Sequence, residues 1–71
     1  MIKHDFKIGD LVEFWLGNTK LTVTGFVKEQ FYDEKTNRKC FAGDILCTFE
    51  KNGKVFEYNY PPAAINKIYT F

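Results

Sequence analysis

Three features predict an all-β protein: apolar residues alternating with a period of two along most of the chain, an Asn52-Gly53 pair between two such runs, and the stop signal Pro61-Pro62. The expected architecture is a five-stranded barrel with a short 3₁₀ turn before the last strand. It occupies residues 1–71 as a single domain, and residues 1–5 are expected to fray as a tail.

Strand one is expected over 8–16, with Ile8, Val12, Phe14 and Leu16 on one side and Asp10, Glu13 and Trp15 off that set. The polar run 17–20 supplies a turn. A long second strand follows over 21–32, where Leu21, Val23, Val27 and Phe31 share a face. Gly25 lies within it and marks the corner at which a small barrel bends from one sheet into the other. Residues 33–39 are polar and of mixed charge and read as a hairpin tip, with Asn37 suited to a left-handed turn.

Strand three is expected over 40–50 and strand four over 54–60, joined by Asn52-Gly53. A two-residue type I′ turn needs positive φ at both central positions, which these two residues tolerate best. It sets Lys51 against Lys54, Glu50 against Val55, Phe49 against Phe56, Cys47 against Tyr58 and Ile45 against Tyr60. Alternate pairs share a face. Phe49, Phe56, Cys47, Tyr58, Ile45 and Tyr60 therefore fall inward, while Thr48, Glu57, Leu46 and Asn59 fall outward. Pairing Val27 with Ile45 across strands two and three would oppose Gly25 to Cys47 and Phe26 to Leu46. The prolines end strand four because they lack a donor. Residues 63–66 are long enough for one 3₁₀ turn. Ile65 and Ile68 then point inward, and a last strand over 67–71 returns beside strand one.

Composition narrows the function. Of 71 residues, ten are Lys or Arg and nine are Asp or Glu, giving a net charge of +1 that supplies no one-sided field for gripping duplex phosphates. The chain has no apolar run of membrane-spanning length, and its opening MIKHDFKIGD lacks the apolar stretch of a secretion signal. A cytoplasmic location without membrane contact is the expectation. Cys40 and Cys47, seven residues apart on one strand, point to opposite faces, so no disulfide is expected.

The segments FKIGDLVEFW, GFVKEQFYD, ILCTFEKNGKVFEYN and PPAAINKI together resemble the SH3-like small barrels of the Tudor, chromo-barrel and related families. The resemblance covers roughly residues 6–70. It implies the barrel fold with a 3₁₀ turn before strand five, and it implies little about function, since this fold hosts many activities. Tudor-type members hold methylated side chains in an aromatic cage. Trp15 matches the cage aromatic at the end of strand one, but Val23 or a neighbouring threonine stands where the next would be. Asn52-Gly53 occupies the turn that would bring the others.

Nothing in the sequence has the pattern of a catalyst or a cofactor site. His4 is the single histidine and has no spaced partner. Cys47 reads as a small core residue and Cys40 as an edge residue, and Asp10 and Glu13 read as a turn and a solvated strand face. The expected function is a non-enzymatic interaction module for a protein or peptide partner. Solitary barrels of this kind resemble accessory proteins of bacteria and phages. Its candidate contact residues are the outward apolar side chains Trp15, Phe26, Leu46, Tyr32 and Leu11. Two alternatives stand beside it: single-stranded nucleic acid stacked on Trp15 and Phe26 beside Lys20 and Lys28, and self-association into a homodimer through Phe26 and Leu46.

Overall fold

The structure, a computed structural model, describes residues 5–17 and 19–68. Among these residues seven strands form: β1 (Leu11–Phe14), β2 (Lys20–Phe26), β3 (Phe31–Asp33), β4 (Arg38–Cys40), β5 (Ile45–Lys51), β6 (Lys54–Tyr60) and β7 (Ile65–Lys67). A 3₁₀ turn, Pro62–Ala64, separates the last two. Five strands make one antiparallel sheet in the order β6-β5-β2-β1-β7, and β3 with β4 makes a separate two-stranded sheet. The fold is all-β, as the alternation predicts. Among the described residues the expected backbone closure is absent: β6 and β7 are both edges, so the main sheet is open. The tail over 1–4 with His4, Asn18 of the first turn, and 69–71 of the last strand lie outside the described residues.

The β5–β6 hairpin has the expected register at every pair from Lys51↔Lys54 to Ile45↔Tyr60. The cause is local. Asn52 at φ 55 and Gly53 at φ 77 take the left-handed conformations that a two-residue turn demands. Asn37, at φ 56, likewise turns the β3–β4 hairpin.

Two turns of one design enter the sheet. In Lys7-Ile8-Gly9-Asp10 the Asp10 N–H donates to the Lys7 carbonyl at 3.0 Å, and the Lys7 N–H donates to Asp10 Oδ2 at 2.8 Å. In Phe41-Ala42-Gly43-Asp44 the same two bonds both measure 3.0 Å. Gly9 at φ 96 and Gly43 at φ 93 take the third position, where a type II turn requires positive φ. Both turns also dock alike on the middle strand. The Gly9 N–H donates to the Val23 carbonyl and the Gly43 N–H to that of Val27, while the Asp10 and Asp44 carbonyls accept the N–H groups of the same two valines. Each turn thus starts a strand, β1 or β5, on one side of β2.

Between these anchor points β2 carries a bulge. Val23 faces Cys47, but the next pairs are Gly25↔Leu46 and Phe26↔Ile45. One extra residue on β2 reverses the alternation beyond it. The expected pairs Val27 with Ile45, Gly25 with Cys47 and Phe26 with Leu46 are therefore wrong by one residue, and Phe26 and Leu46 are not opposed. Gly25 sits over Leu46, where a Cβ would lie 3.5 Å from Leu46 Cδ1. The long second strand is also interrupted: it stops at Phe26 and resumes as β3. The third is split into β4 and β5 by the Gly43-Asp44 turn.

The core is small. Val12, Leu21, Val23, Ile45, Cys47 and Ile65 are buried together, with Phe6, Phe49, Tyr58 and Tyr60 packed against them. Ile65 is inward as expected. Ile8 and Leu16 are exposed, because β1 begins after the Gly9 turn and ends at Phe14. Phe31 is exposed and Cys40, expected at an edge, is buried. Phe56 shares the core face but is 40% exposed, since β6 is the last strand of the sheet. The rings of Phe14 on β1 and Tyr60 on β6 nevertheless stack at 4.7 Å, with β5 and β2 lying between those strands in the sheet. At about 4.8 Å per strand, a flat sheet would hold them roughly 14 Å apart. The sheet is therefore curled, and side chains of β6 and β1 meet across it.

Candidate functional site

Among the described residues, two clefts flank the β5–β6 hairpin, one on each side. The outer cleft, about 350 Å³, lies between the main sheet and the β3–β4 hairpin; its walls include Thr24, Phe31, Asp33, Lys35, Arg38, Leu46 and Glu57. A polar clamp holds that hairpin in place. Arg38 Nη1 donates to Asn59 Oδ1 at 2.9 Å, and Arg38 Nε donates to Thr36 Oγ1 at 3.0 Å. Asn59 Nδ2 donates to Asp44 Oδ2 at 2.7 Å and lies 3.3 Å from the Lys39 carbonyl. Asp44 is 6% exposed and accepts from both Asn59 and the Phe41 N–H, so its buried carboxylate is satisfied without an ion pair. This cleft is walled by charges of both signs.

The inner cleft, about 140 Å³, is lined by Phe14, Gly17, Thr19, Leu21, Phe49, Tyr58 and Tyr60. Beside it runs a column of five rings. Phe56 stacks on Phe49 at 5.0 Å, Phe49 on Tyr58 at 5.7 Å, Tyr58 on Tyr60 at 5.9 Å and Tyr60 on Phe14 at 4.7 Å, with planes within 23° of parallel throughout. Trp15 flanks the Phe14 end, tilted by 49° at 6.3 Å. The column follows from the Asn-Gly turn, because alternation puts residues 49, 56, 58 and 60 on one face. Its rings turn their faces to one another. What they offer outward is ring edges, which carry the positive rim of the aromatic quadrupole, together with two tyrosine hydroxyls.

The expected contact residues do not gather at one place. Trp15 and Tyr32 are well exposed, Phe26 is at the border of exposure, and Leu11 and Leu46 are half-buried. Leu46 lines the outer cleft; Trp15, Phe26, Tyr32 and Leu11 line neither cleft. Of the two lysines considered for nucleic acid, Lys20 is set directly across from Glu13, and Lys28 lies in the exposed connection after β2. The stacked column went unrecognised in the sequence because its residues read as core. The signal was available: thirteen aromatic residues exceed what so small an interior can hold.

Burial works against thiolate formation at both cysteines. Burial pushes the Cys47 thiol up to about 11 and raises that of Cys40, with Arg38 opposing in the latter case. Both cysteines are free. Tyr60 is raised by burial and then by the neighbouring Tyr58. Asp10 is lowered, first by the Lys7 N–H and further by Lys67, whose ammonium lies 3.4 Å away and also 3.8 Å from Asp5. Among the described residues no three His, Cys, Asp or Glu side chains come together as a metal site, and no helix is long and apolar enough to cross a membrane. No family model, no curated protein and no solved structure matches the chain.

Proposed function

We propose that the protein is a non-enzymatic interaction module, a curled open sheet of SH3-like pattern, that binds an extended segment of a protein partner along the aromatic column. The strand order β6-β5-β2-β1-β7, with a 3₁₀ turn between the two edge strands, supports the SH3-like reading. The observation that carries the function is the column itself. Five rings are stacked in a line at the open side of a six-residue core, and Phe56 at its end stays 40% exposed. The other four rings are half-buried, and a preformed row of partly accessible aromatic groups gives a partner contact area at low entropic cost.

Random dodecapeptides displayed on phage and selected on the intact chain test this reading. Peptides that bind the wild type and fail on Phe56→Ser support it. Truncation at this edge position leaves the six core side chains in place, and a thermal melt verifies that the variant folds. Peptides that bind a folded Phe56→Ser as tightly as the wild type would contradict it.

A further inference from the structure

We infer that the bound segment is acidic, and that one or two of its carboxylates lie against Lys51 and Lys54 at the Phe56 end of the column. This inference rests on the peptide-binding reading above. Lys51 and Lys54 are directly opposed across the Asn52-Gly53 turn. Two residues further along each strand than Phe49 and Phe56, they fall on the column's own face. Two like charges set directly opposite each other destabilise a hairpin, and among the described residues neither lysine makes an ion pair.

Charge is divided across the sheet. The acids of its strands, Glu13, Glu50 and Glu57, all alternate onto the other face, opposite Phe14, Phe49 and Phe56. On the column's face the remaining strand cation, Lys67, is already held by Asp10 and Asp5. A ligand approaching this face therefore meets two uncompensated ammonium groups, the positive rims of the stacked rings and the hydroxyls of Tyr58 and Tyr60. These hydroxyls make no hydrogen bond to another described residue. Every one of these groups favours an acceptor or an anion. Peptide suits the site better than nucleic acid, because bases need free ring faces and a track of cations. Here the faces are turned to each other and the cations sit at one end.

The test uses the selected dodecapeptides and, for the best of them, a synthetic twin with every Asp and Glu replaced by Asn and Gln. Binding is followed by fluorescence anisotropy at two salt concentrations. We expect Asp or Glu to be enriched toward one end of the selected sequences. The acidic peptide should bind roughly fivefold to tenfold more tightly than its twin, and the difference should shrink as salt rises. It should disappear on the double variant Lys51→Gln, Lys54→Gln, whose melt should equal or exceed that of the wild type. Selected peptides without acidic bias, or a twin that binds equally well, would overturn the inference while leaving the peptide-binding reading intact. Failure to enrich any peptide would overturn both. A twelve-residue oligothymidylate that binds more tightly than the best peptide and displaces it would overturn the inference in favour of nucleic acid.

Discussion

Asp44→Ala should destabilise the protein far more than Asp10→Ala, although the two aspartates close turns of the same design. The difference lies in burial. Asp44 is 6% exposed and its Oδ2 accepts from the Phe41 N–H at 3.0 Å and from Asn59 Nδ2 at 2.7 Å. Removing the carboxylate orphans two donors beneath the β3–β4 hairpin, and an unsatisfied buried donor costs about 1–3 kcal/mol. Taking the middle of that range for one donor and the lower end for the other, which can still reach the Lys39 carbonyl, the loss is about 3 kcal/mol. A chain of this size is stable by only about 4–10 kcal/mol, and the corresponding fall in Tm is roughly 12–24 °C. Asp10 faces solvent, so water replaces its bonds to Lys7 and Lys67, and its loss should lower Tm by less than half as much. Thermal melts followed by far-ultraviolet circular dichroism at pH 7 measure both. Equal shifts in the two variants, or an Asp44→Ala melt within a few degrees of wild type, would refute the view that the buried clamp holds the hairpin to the sheet.

Other expectations follow from the same geometry. Both thiols should be inert to a disulfide reagent at pH 8 in the native protein and react fully in denaturant, since burial raises both and pushes Cys47 up to about 11; fast labelling of the native chain would place a cysteine at the surface. Gly53→Ala should lower stability by about 1–2 kcal/mol, because φ is 77 and space for a Cβ is open, so the backbone conformation is the whole cost; a neutral urea titration would count against the turn. Asp10 has a lowered pKa in the fold, so its contribution is present above the ordinary 3.8 and fades as pH falls through the lower folded value. Asp10→Asn should accordingly flatten the acid limb of the stability profile, and superimposable wild-type and variant limbs would contradict the assignment.

The parts of the fold legible in the sequence are those set by local chemistry. Asn52-Gly53 dictates the β5–β6 register because few residues other than Asn and Gly tolerate positive φ at both turn positions. Pro61-Pro62 ends β6 for want of donors. Alternation found Val12, Leu21, Val23, Ile45, Cys47 and Ile65, all of them in the core. It failed where an insertion breaks the period: the bulge after Val23 shifts the pairing of Gly25 and Phe26 by one residue, and Gly25 marks an irregularity there without fixing the count. The second Gly-Asp turn was a missed signal, since KIGDLV and FAGDIL share their spacing and each precedes an apolar strand. Reading the second as a turn would have divided strand three correctly. For the site, alternation put Phe49, Phe56, Tyr58 and Tyr60 on one face, but whether that face is interior depends on how far the sheet curls. That is set by contacts such as Phe14 with Tyr60, distant in sequence.

The most direct test of the proposed binding surface is a two-dimensional ¹H–¹⁵N spectrum of the labelled chain titrated with the best selected dodecapeptide. The largest shifts should fall on the column and its cationic end, at Phe14, Phe49, Phe56, Tyr58 and Tyr60 and at Lys51 and Lys54. Shifts concentrated instead at Phe31, Arg38 and Leu46 around the outer cleft, or at the scattered surface residues Trp15, Phe26 and Tyr32, would contradict it.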